Sequence, residues 1–217
     1  MGGFKNEATN IEFESGAINI IIAQLIKCSK LIKTNCVDTN SLLKNNEDKI
    51  TNRLIAKYLN VGPNDFRYEP QSPENFDEST DQYIGRTDIK VISRDYFRDS
   101  QAYYIIECKR IDGTANLNKK YINEGVARFA SHPAKYSSYH NENIMFGYVV
   151  QAIDISANTT KIEDLQNQIL KNGAAKKFFL LCCESSNYYL YSCQYQSDEK
   201  NIELKHLFYN FSSVIQS

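Results

Sequence analysis

The sequence predicts an α/β or α+β fold in which a mixed central sheet is flanked by helices. Segments with apolar residues at helical spacing are interspersed with runs of β-forming residues. Isoleucine, tyrosine and phenylalanine are frequent, with 15 Tyr and 11 Phe, and they favour strands. A chain of 217 residues, 42% of them apolar, has the size of one domain with an extension. We therefore predict an N-terminal helical extension over residues 1–40 and a single domain over residues 41–217.

Two amphipathic helices are predicted first. In residues 14–34 the apolar side chains, among them Ile18, Ile22 and Leu25, form one broad stripe. This stripe faces either the core or a dimer partner, and the sequence does not separate the two. Residues 45–60 predict a second helix, because apolar residues again recur at helical spacing.

The middle of the chain predicts strands around one loop. DFRYEP (65–70) predicts a short strand, and residues 70–85, rich in turn formers and acids, predict an exposed loop. That acidic loop is either simply solvated or repels nucleic acid until a partner moves it. The β-rich runs 86–93 and 101–110, separated by a polar turn, predict a hairpin.

The second half of the chain alternates between segments with the periodicity of a helix and segments with that of a strand. Residues 117–131 predict a helix with Tyr121 facing inward, 144–153 a buried strand, and 160–172 a polar helix stopped at Gly173. Three further β-rich runs complete the chain: KKFFLLCCES, NYYLYSCQYQ and IELKHLFYNF.

Bulk properties exclude several classes of protein. The formal net charge of −1 means that any nucleic-acid surface must be a local patch. The six cysteines contain no Cys-x-x-Cys pair, so we predict reduced, mostly buried thiols and neither a disulfide framework nor a zinc site. The polar N-terminus lacks an export signal and no segment is apolar enough to span a bilayer, which predicts a cytoplasmic protein without membrane contact.

One of five acid-x-Lys triplets differs from the others by its context. Glu107-Cys108-Lys109 follows the apolar run AYYII, and the period of a strand places Glu107 and Lys109 on one face with Cys108 on the other. The hairpin partner supplies Asp88, a second acid in a β-rich run, where acids are disfavoured. The other four triplets have ordinary explanations. Glu203 and Lys205 are the solvent side of a strand, Glu47 and Lys49 begin a helix in which i and i+2 do not meet, and Asp198 and Lys200 lie in a polar turn. Lys90 continues a strand whose Asp88 has a better partner.

Two explanations remain for Asp88, Glu107 and Lys109. One is a surface salt bridge across the hairpin. The other is a shared divalent cation: two carboxylates about 4 Å apart repel by roughly 4 kcal/mol at an effective dielectric of 20, and Mg²⁺ or Mn²⁺ turns that repulsion into binding. Such a cation also activates water and stabilises an oxyanion, the two requirements of phosphodiester hydrolysis. We favour the cation.

The string GRTDIKV…YYIIECKRID resembles the D…ExK core of the restriction-endonuclease-like, or PD-(D/E)xK, nucleases. NNEDKITNRLIAKYLN resembles the family's first core helix, and YINEGVARFA followed by IMFGYVV resembles the helix and strand after the motif, so the likeness covers about residues 45–152. Thr87 stands in place of the proline of the family's name. The resemblance implies a restriction-endonuclease-like core in residues 41–217.

The resemblance also implies the roles of individual residues. Asp88, Glu107 and the backbone carbonyl of Cys108 would bind Mg²⁺, with Mn²⁺ as a substitute, Glu47 would complete the site, and Lys109 would be catalytic. An acid in the first turn of a helix is also favoured by the helix dipole alone, and Asp48 is the neighbouring candidate for the position of Glu47.

A cluster of basic residues follows the motif. Residues 109–135 contain six basic residues against two acids, which predicts a phosphate-binding face, with a solvated charged helix as the alternative. We predict these nucleic-acid contacts: Arg110, Lys119, Lys120, Tyr121 and Arg128.

Together these features predict a Mg²⁺-dependent DNA endonuclease. A homodimer is expected, because cutting both strands needs two sites. By the resemblance, the protein would serve in prokaryotic defence or restriction, alone or beside a partner protein. Two alternatives stay open: an enzyme acting on RNA, since the chemistry involves phosphate alone, and a catalytically inactive nucleic-acid-binding or scaffold protein with the same fold.

Overall fold

The structure is a computed structural model that describes residues 7–62, 64–93, 100–131, 134–137, 139–170, 176–185, 187–197 and 200–216. Its helices are α1 (Glu7–Asp38), α2 (Glu47–Leu54), α3 (Ala115–Tyr121), α4 (Ala127–Ala130) and α5 (Ile155–Ile169), with π-helical turns at Ile55–Leu59 and Ile122–Val126 and a 3-10 turn at Ser212–Val214. Its strands are β1 (Phe66–Pro70), β2 (Pro73–Asp77), β3 (Gln82–Arg86), β4 (Ile89–Ser93), β5 (Tyr103–Ile111), β6 (Glu142–Val149), β7 (Phe179–Glu184), β8 (Tyr188–Ser197) and β9 (Lys200–Asn210).

Seven strands form one mixed sheet in the order β1-β4-β5-β6-β9-β8-β7. β6 runs parallel to both of its neighbours, β5 and β9, whereas the other neighbouring pairs are antiparallel. Helices α3 and α4 connect β5 to β6, as a parallel pair requires. The predicted mixed sheet flanked by helices is confirmed.

Helices cover both faces of this sheet, and β5 shows the alternation. Tyr104, Ile106 and Cys108 pack in the core beneath α1 and α2, whereas Tyr103 and Ile105 pack in the core beneath α3, α4 and α5. Alternate side chains of one strand therefore serve two apolar layers.

The apolar stripe of α1 belongs to the core. Ile18, Ile21, Ile22 and Leu25 are buried in the same cluster as residues of α2 and of the sheet. The sequence left two alternatives for this stripe, the core and a dimer partner, and the structure shows that it faces the core. A single apolar cluster thus spans the predicted boundary at residue 40.

The prediction of a loop at residues 70–85 is wrong, because β2 and β3 form a separate antiparallel hairpin there, although most of these residues are exposed as predicted. The Asp77 side chain accepts hydrogen bonds from Ser79 N and Thr80 Oγ1 and so closes the turn. Glu74 is buried and accepts a hydrogen bond of 2.6 Å from the Tyr103 hydroxyl. This tertiary partner turns an acid-rich segment into a docked hairpin.

Helix α5 begins five residues before its predicted start. The Asp154 side chain caps it by accepting a hydrogen bond from Ala157 N at 2.9 Å. Its predicted end, at residue 172 and Gly173, lies outside the described residues. Among the described helices, none combines the length and the apolar character needed to cross a bilayer.

All six cysteines are free thiols. Cys28, Cys36, Cys108 and Cys193 are buried, as predicted. Cys182 and Cys183 lie exposed on β7 at the end of the sheet, so the thiols are mostly buried, as predicted.

Candidate active site

Asp88, Glu107 and Lys109 meet where β4 and β5 pair. Ile89, the first residue of β4, lies opposite Ile106 of β5, and the antiparallel register brings the preceding Asp88 beside Glu107. The Cys108 backbone N–H fixes Asp88 by donating a hydrogen bond of 2.7 Å to Asp88 Oδ2. The local pairing of two strands therefore positions both acids.

The Lys109 ammonium lies at the centre of an oxygen cluster. Its Nζ is 2.8 Å from Glu107 Oε1, 3.1 Å from Glu47 Oε1 and 3.4 Å from Asp88 Oδ2. It also donates a hydrogen bond of 2.7 Å to the Cys108 carbonyl oxygen. Lys109 and Glu107 are both buried. The four oxygens that the resemblance assigned to a metal thus surround one cationic group.

Glu47 enters the site from the first turn of α2. The Asn46 side chain caps this helix by accepting a hydrogen bond from Lys49 N. Glu47 Oε2 accepts a hydrogen bond of 3.0 Å from Arg110 N, and Glu47 Oε1 accepts one from Lys109 Nζ. The carboxylate therefore contacts both the backbone and a side chain of β5. The neighbouring Asp48 is exposed, which leaves Glu47 as the acid that α2 supplies.

Two residues complete the surroundings of Glu107. The Tyr136 hydroxyl donates a hydrogen bond of 2.6 Å to Glu107 Oε2, and Arg128 Nη1 lies 3.4 Å from Glu107 Oε1. Arg128 also donates to the Tyr136 hydroxyl and to the Arg86 carbonyl. Sequence reasoning missed this role of Tyr136, which lies 29 residues from Glu107 and carries no local signal.

Burial and charge shift the pKa values of this cluster. Burial raises the pKa of the Glu107 carboxyl from 4.5 to about 7; Lys109 opposes the rise and the negative charge of Asp88 adds to it. Burial alone would lower the pKa of Lys109, but the carboxylates of Glu107, Asp88 and Glu47 together raise it. The ammonium therefore stays charged at neutral pH, and Glu107 changes charge near neutrality.

The donor set is that of a hard cation. Three carboxylates and one carbonyl supply only oxygen, which suits Mg²⁺ or Mn²⁺ and not a thiol-preferring metal. When Glu107 is ionised, its charge and those of Glu47 and Asp88 exceed the two positive charges of Lys109 and Arg128. In the described part of the chain no three Asp, Glu, His or Cys side chains form a ready metal site, and Lys109 Nζ lies at the point of convergence. The residues fit a divalent cation on condition that the ammonium moves aside.

The five predicted nucleic-acid contacts fall into three groups by position: exposed on α3, held at or beside the site, and buried in the core. Lys119 and Lys120 are exposed on α3. Arg128 lies at the site, and Arg110 Nη1 is held by Asn45 through its carbonyl and its side-chain oxygen.

Tyr121 forms the third group, and its predicted contact with nucleic acid is wrong. Its ring has no exposed surface, and its hydroxyl lies 2.8 Å from His206 Nδ1 in the core. The inward orientation that helical periodicity predicts for this residue is confirmed.

A second strand-borne acid-x-Lys triplet differs from the candidate site. In β9, Lys205 Nζ lies 2.5 Å from Glu203 Oε1 and 3.7 Å from Glu142 Oε1. Glu203 and Lys205 thus form an ion pair with one further acid, without a carbonyl at the ammonium among the described contacts. Asp198, from another triplet, lies outside the described residues.

Gly125 makes room for Lys109 and Met145. It lies in the π-helical turn Ile122–Val126, and a Cβ there would come within 2.5 Å of Met145 Cε and 3.4 Å of Lys109 Cγ. We expect Gly125→Ala to lower the free energy of unfolding by about 1 kcal/mol, at the low end for overpacking, because the clashing atom is the terminal methyl of the flexible Met145 side chain. Denaturant unfolding followed by circular dichroism measures this.

The control for that substitution is Gly16→Ala in α1, where nothing lies within 4 Å of the added Cβ. This change should leave stability equal or raise it, because alanine favours helices. Adding Met145→Leu, which lacks the Cε methyl, should recover much of the loss in Gly125→Ala. Additive effects of the two substitutions would show that the predicted contact does not limit packing.

The site is thus defined by its geometry: acids from α2 and from two paired strands converge on one lysine. Comparisons of the chain with protein-family models, with curated proteins and with solved structures found no match.

Proposed function

We propose that this protein is a Mg²⁺-dependent nuclease that hydrolyses phosphodiester bonds of DNA, with a PD-(D/E)xK core. The observation that carries the proposal is the convergence of Asp88, Glu107, Glu47 and the Cys108 carbonyl around Lys109 Nζ. A surface salt bridge across a hairpin would leave its partners exposed, whereas Glu107 is fully buried here. Removing these charges from water costs free energy that their pairing offsets at best in part, so stability alone does not explain the cluster.

The order of elements supports the same core. The resemblance implies a helix with an acid, two motif-bearing strands, a further helix and a strand, and the chain has α2, β4, β5, α3–α4 and β6 in that order. Strands β4, β5 and β6 are also adjacent in the sheet.

A bound Mg²⁺ would supply an activated water and neutralise charge on the phosphate. Asp88, Glu107 and the Cys108 carbonyl would hold the cation, and Glu47 would support it. Arg110 N, Cys108 N and Tyr136 hold Glu47, Asp88 and Glu107 in place through hydrogen bonds. This second layer orients the carboxylates before any cation arrives.

Lys109 acts as a charged donor in this proposal. In the metal-free site the surrounding carboxylates raise the pKa of Lys109, so its side chain is a charged ammonium and a hydrogen-bond donor at neutral pH. Once displaced from the acids, it can donate hydrogen bonds to the attacking water or to a phosphate oxygen. Arg128, whose side chain is 30% exposed, can contact the phosphate from the solvent side.

Metal binding should depend on pH through Glu107. A cation competes with the proton on this carboxyl, whose pKa is raised from 4.5 to about 7. Affinity for Mn²⁺ should therefore rise by about tenfold per pH unit between these values and level off above pH 7. Calorimetric titration at a series of pH values measures this, with Glu107→Gln as the control that should remove the dependence. Affinity that is constant across the range would contradict the role of Glu107.

A substrate panel tests the function and its two alternatives. Supercoiled plasmid, linear duplex, single-stranded DNA and RNA are incubated with the protein in Mg²⁺, Mn²⁺ or EDTA. Cleavage of DNA that EDTA abolishes supports the proposal, and cleavage of RNA alone supports the RNA-directed alternative. Binding without cleavage under every condition indicates a nucleic-acid-binding or scaffold protein.

The biological setting that we propose follows from the same resemblance. It is prokaryotic defence or restriction, alone or beside a partner protein. Cleavage of both strands of a duplex would need two copies of the site, as in a homodimer.

A further inference from the structure

The end of the sheet carries an apolar strand without cover in the described residues. β7 is the last strand in the order of the sheet, and all six of its residues are exposed. The exposed fraction is 73% for Phe179, 51% for Leu180 and 50% for Leu181. Because successive residues of a strand point to opposite sides, both faces of β7 are apolar.

Strands at the edge of a sheet are usually protected from pairing. Charged residues, proline or very short length serve this purpose. β7 has six residues, contains no proline, and has no charged residue before Glu184 at its end. Its one irregularity is a register shift against β8 between Leu180 and Cys182. The strand is therefore a template for an added strand.

The charges flanking β7 favour a particular partner and direction. Lys176 and Lys177 precede the strand, and Glu184 ends it. Antiparallel pairing with an identical strand brings the basic end of each copy to the acidic end of the other. Parallel pairing would instead place lysine beside lysine and glutamate beside glutamate, which is unfavourable.

We propose that a second copy of this chain pairs with β7 in antiparallel fashion, so that two sheets join about a two-fold axis. Residues that lie opposite each other in an antiparallel pair point to the same face of the sheet, whereas successive residues of one strand point to opposite faces. The two-fold axis therefore cannot pass between two successive residues and must place one residue of β7 opposite the same residue of the other copy. With Leu180 in that position, Phe179 faces Leu181 of the other copy, and the end of each copy that carries Lys176 and Lys177 lies towards Glu184 of the other. An open groove of about 520 Å³ lies beside β7 and is lined in part by Phe179, Leu181 and Lys177. It receives the Phe179 and Leu181 side chains of the other copy.

This inference depends on the surface of β7 alone and not on the proposed nuclease activity. Sedimentation equilibrium of the full chain over a wide range of concentration tests it. The wild type should form a dimer, and Leu180→Lys should raise the dimer dissociation constant at least about tenfold, because two lysines would meet at the axis. A wild type that stays monomeric at every concentration would overturn the inference.

Charge reversal identifies the register. Lys176→Glu and Glu184→Lys should each weaken the dimer by about tenfold, because each change creates two like-charged pairs. The double variant should restore the wild-type dissociation constant. Val61→Lys, at a residue that is 64% exposed and lies outside β7, is the matched control and should have no effect. A dimer that is insensitive to all three charge variants and to Leu180→Lys uses another surface, which would reject the inference.

Discussion

Lys109→Ala is expected to reduce the rate of DNA cleavage by about 10²–10³-fold, the usual effect of removing one electrostatic stabiliser. The same variant should bind Mn²⁺ at least as tightly as the wild type, because Lys109 Nζ lies where Glu47, Asp88 and Glu107 converge. Removing the ammonium leaves their negative charge without this partner. Cleavage is measured on supercoiled plasmid and affinity by calorimetric titration.

The variant should also be less stable without metal, by up to about 3 kcal/mol, since a buried carboxylate loses its ion pair. Mn²⁺ should then raise its melting temperature more than that of the wild type. Lys205→Ala is the matched control, because Lys205 also lies within ion-pair distance of two acids, Glu203 of its own strand and Glu142 of the neighbouring β6. Equal cleavage by wild type and Lys109→Ala would end the proposal that Lys109 is catalytic. A loss in Lys205→Ala as large as in Lys109→Ala would show that the effect is one of folding.

The core of the site follows from the sequence because it is local. Asp88 directly precedes β4, and Glu107 and Lys109 lie in β5, so strand periodicity and the antiparallel pairing of β4 with β5 suffice to bring them together. Glu47 lies 62 residues from Lys109, and its position came from a family resemblance and not from periodicity. Tyr136 reaches Glu107 through tertiary packing alone, and no local pattern marks it.

The errors in the fold have the same origin. Residues 70–85 have the composition of a loop, yet Glu74 docks on the Tyr103 hydroxyl and the segment forms β2 and β3. The apolar run of β7 predicts a strand but not its place in the sheet, and that place at the end leaves Cys182 and Cys183 exposed. Periodicity identifies elements, whereas the order of strands in a sheet decides which apolar runs are covered.

Glu107→Gln is expected to reduce the affinity for Mn²⁺ by at least about 100-fold, the upper range for residues that only support a ligand. Glutamine keeps the shape of the side chain but removes its negative charge. Its amide nitrogen is a hydrogen-bond donor and would face other donors, because Lys109, Arg128 and Tyr136 surround this position. Asp88→Asn should have a similar effect, since Asp88 is the other carboxylate of the strand pair. Calorimetric titration with Mn²⁺ measures both variants, and circular dichroism tests whether the fold is kept.

Glu203→Gln in β9 is the matched control for these variants, because Glu203 is also an acid two residues before a lysine on a strand. Its loss should leave Mn²⁺ affinity unchanged. The pH above 7 is the decisive condition, since Glu107 is then ionised in the wild type and the contrast with glutamine is largest. If Glu107→Gln and Asp88→Asn both fold and bind Mn²⁺ with wild-type affinity at that pH, neither carboxylate is a ligand. These acids would then serve only to hold Lys109, and the cluster would be an ion-pair network in place of a metal centre.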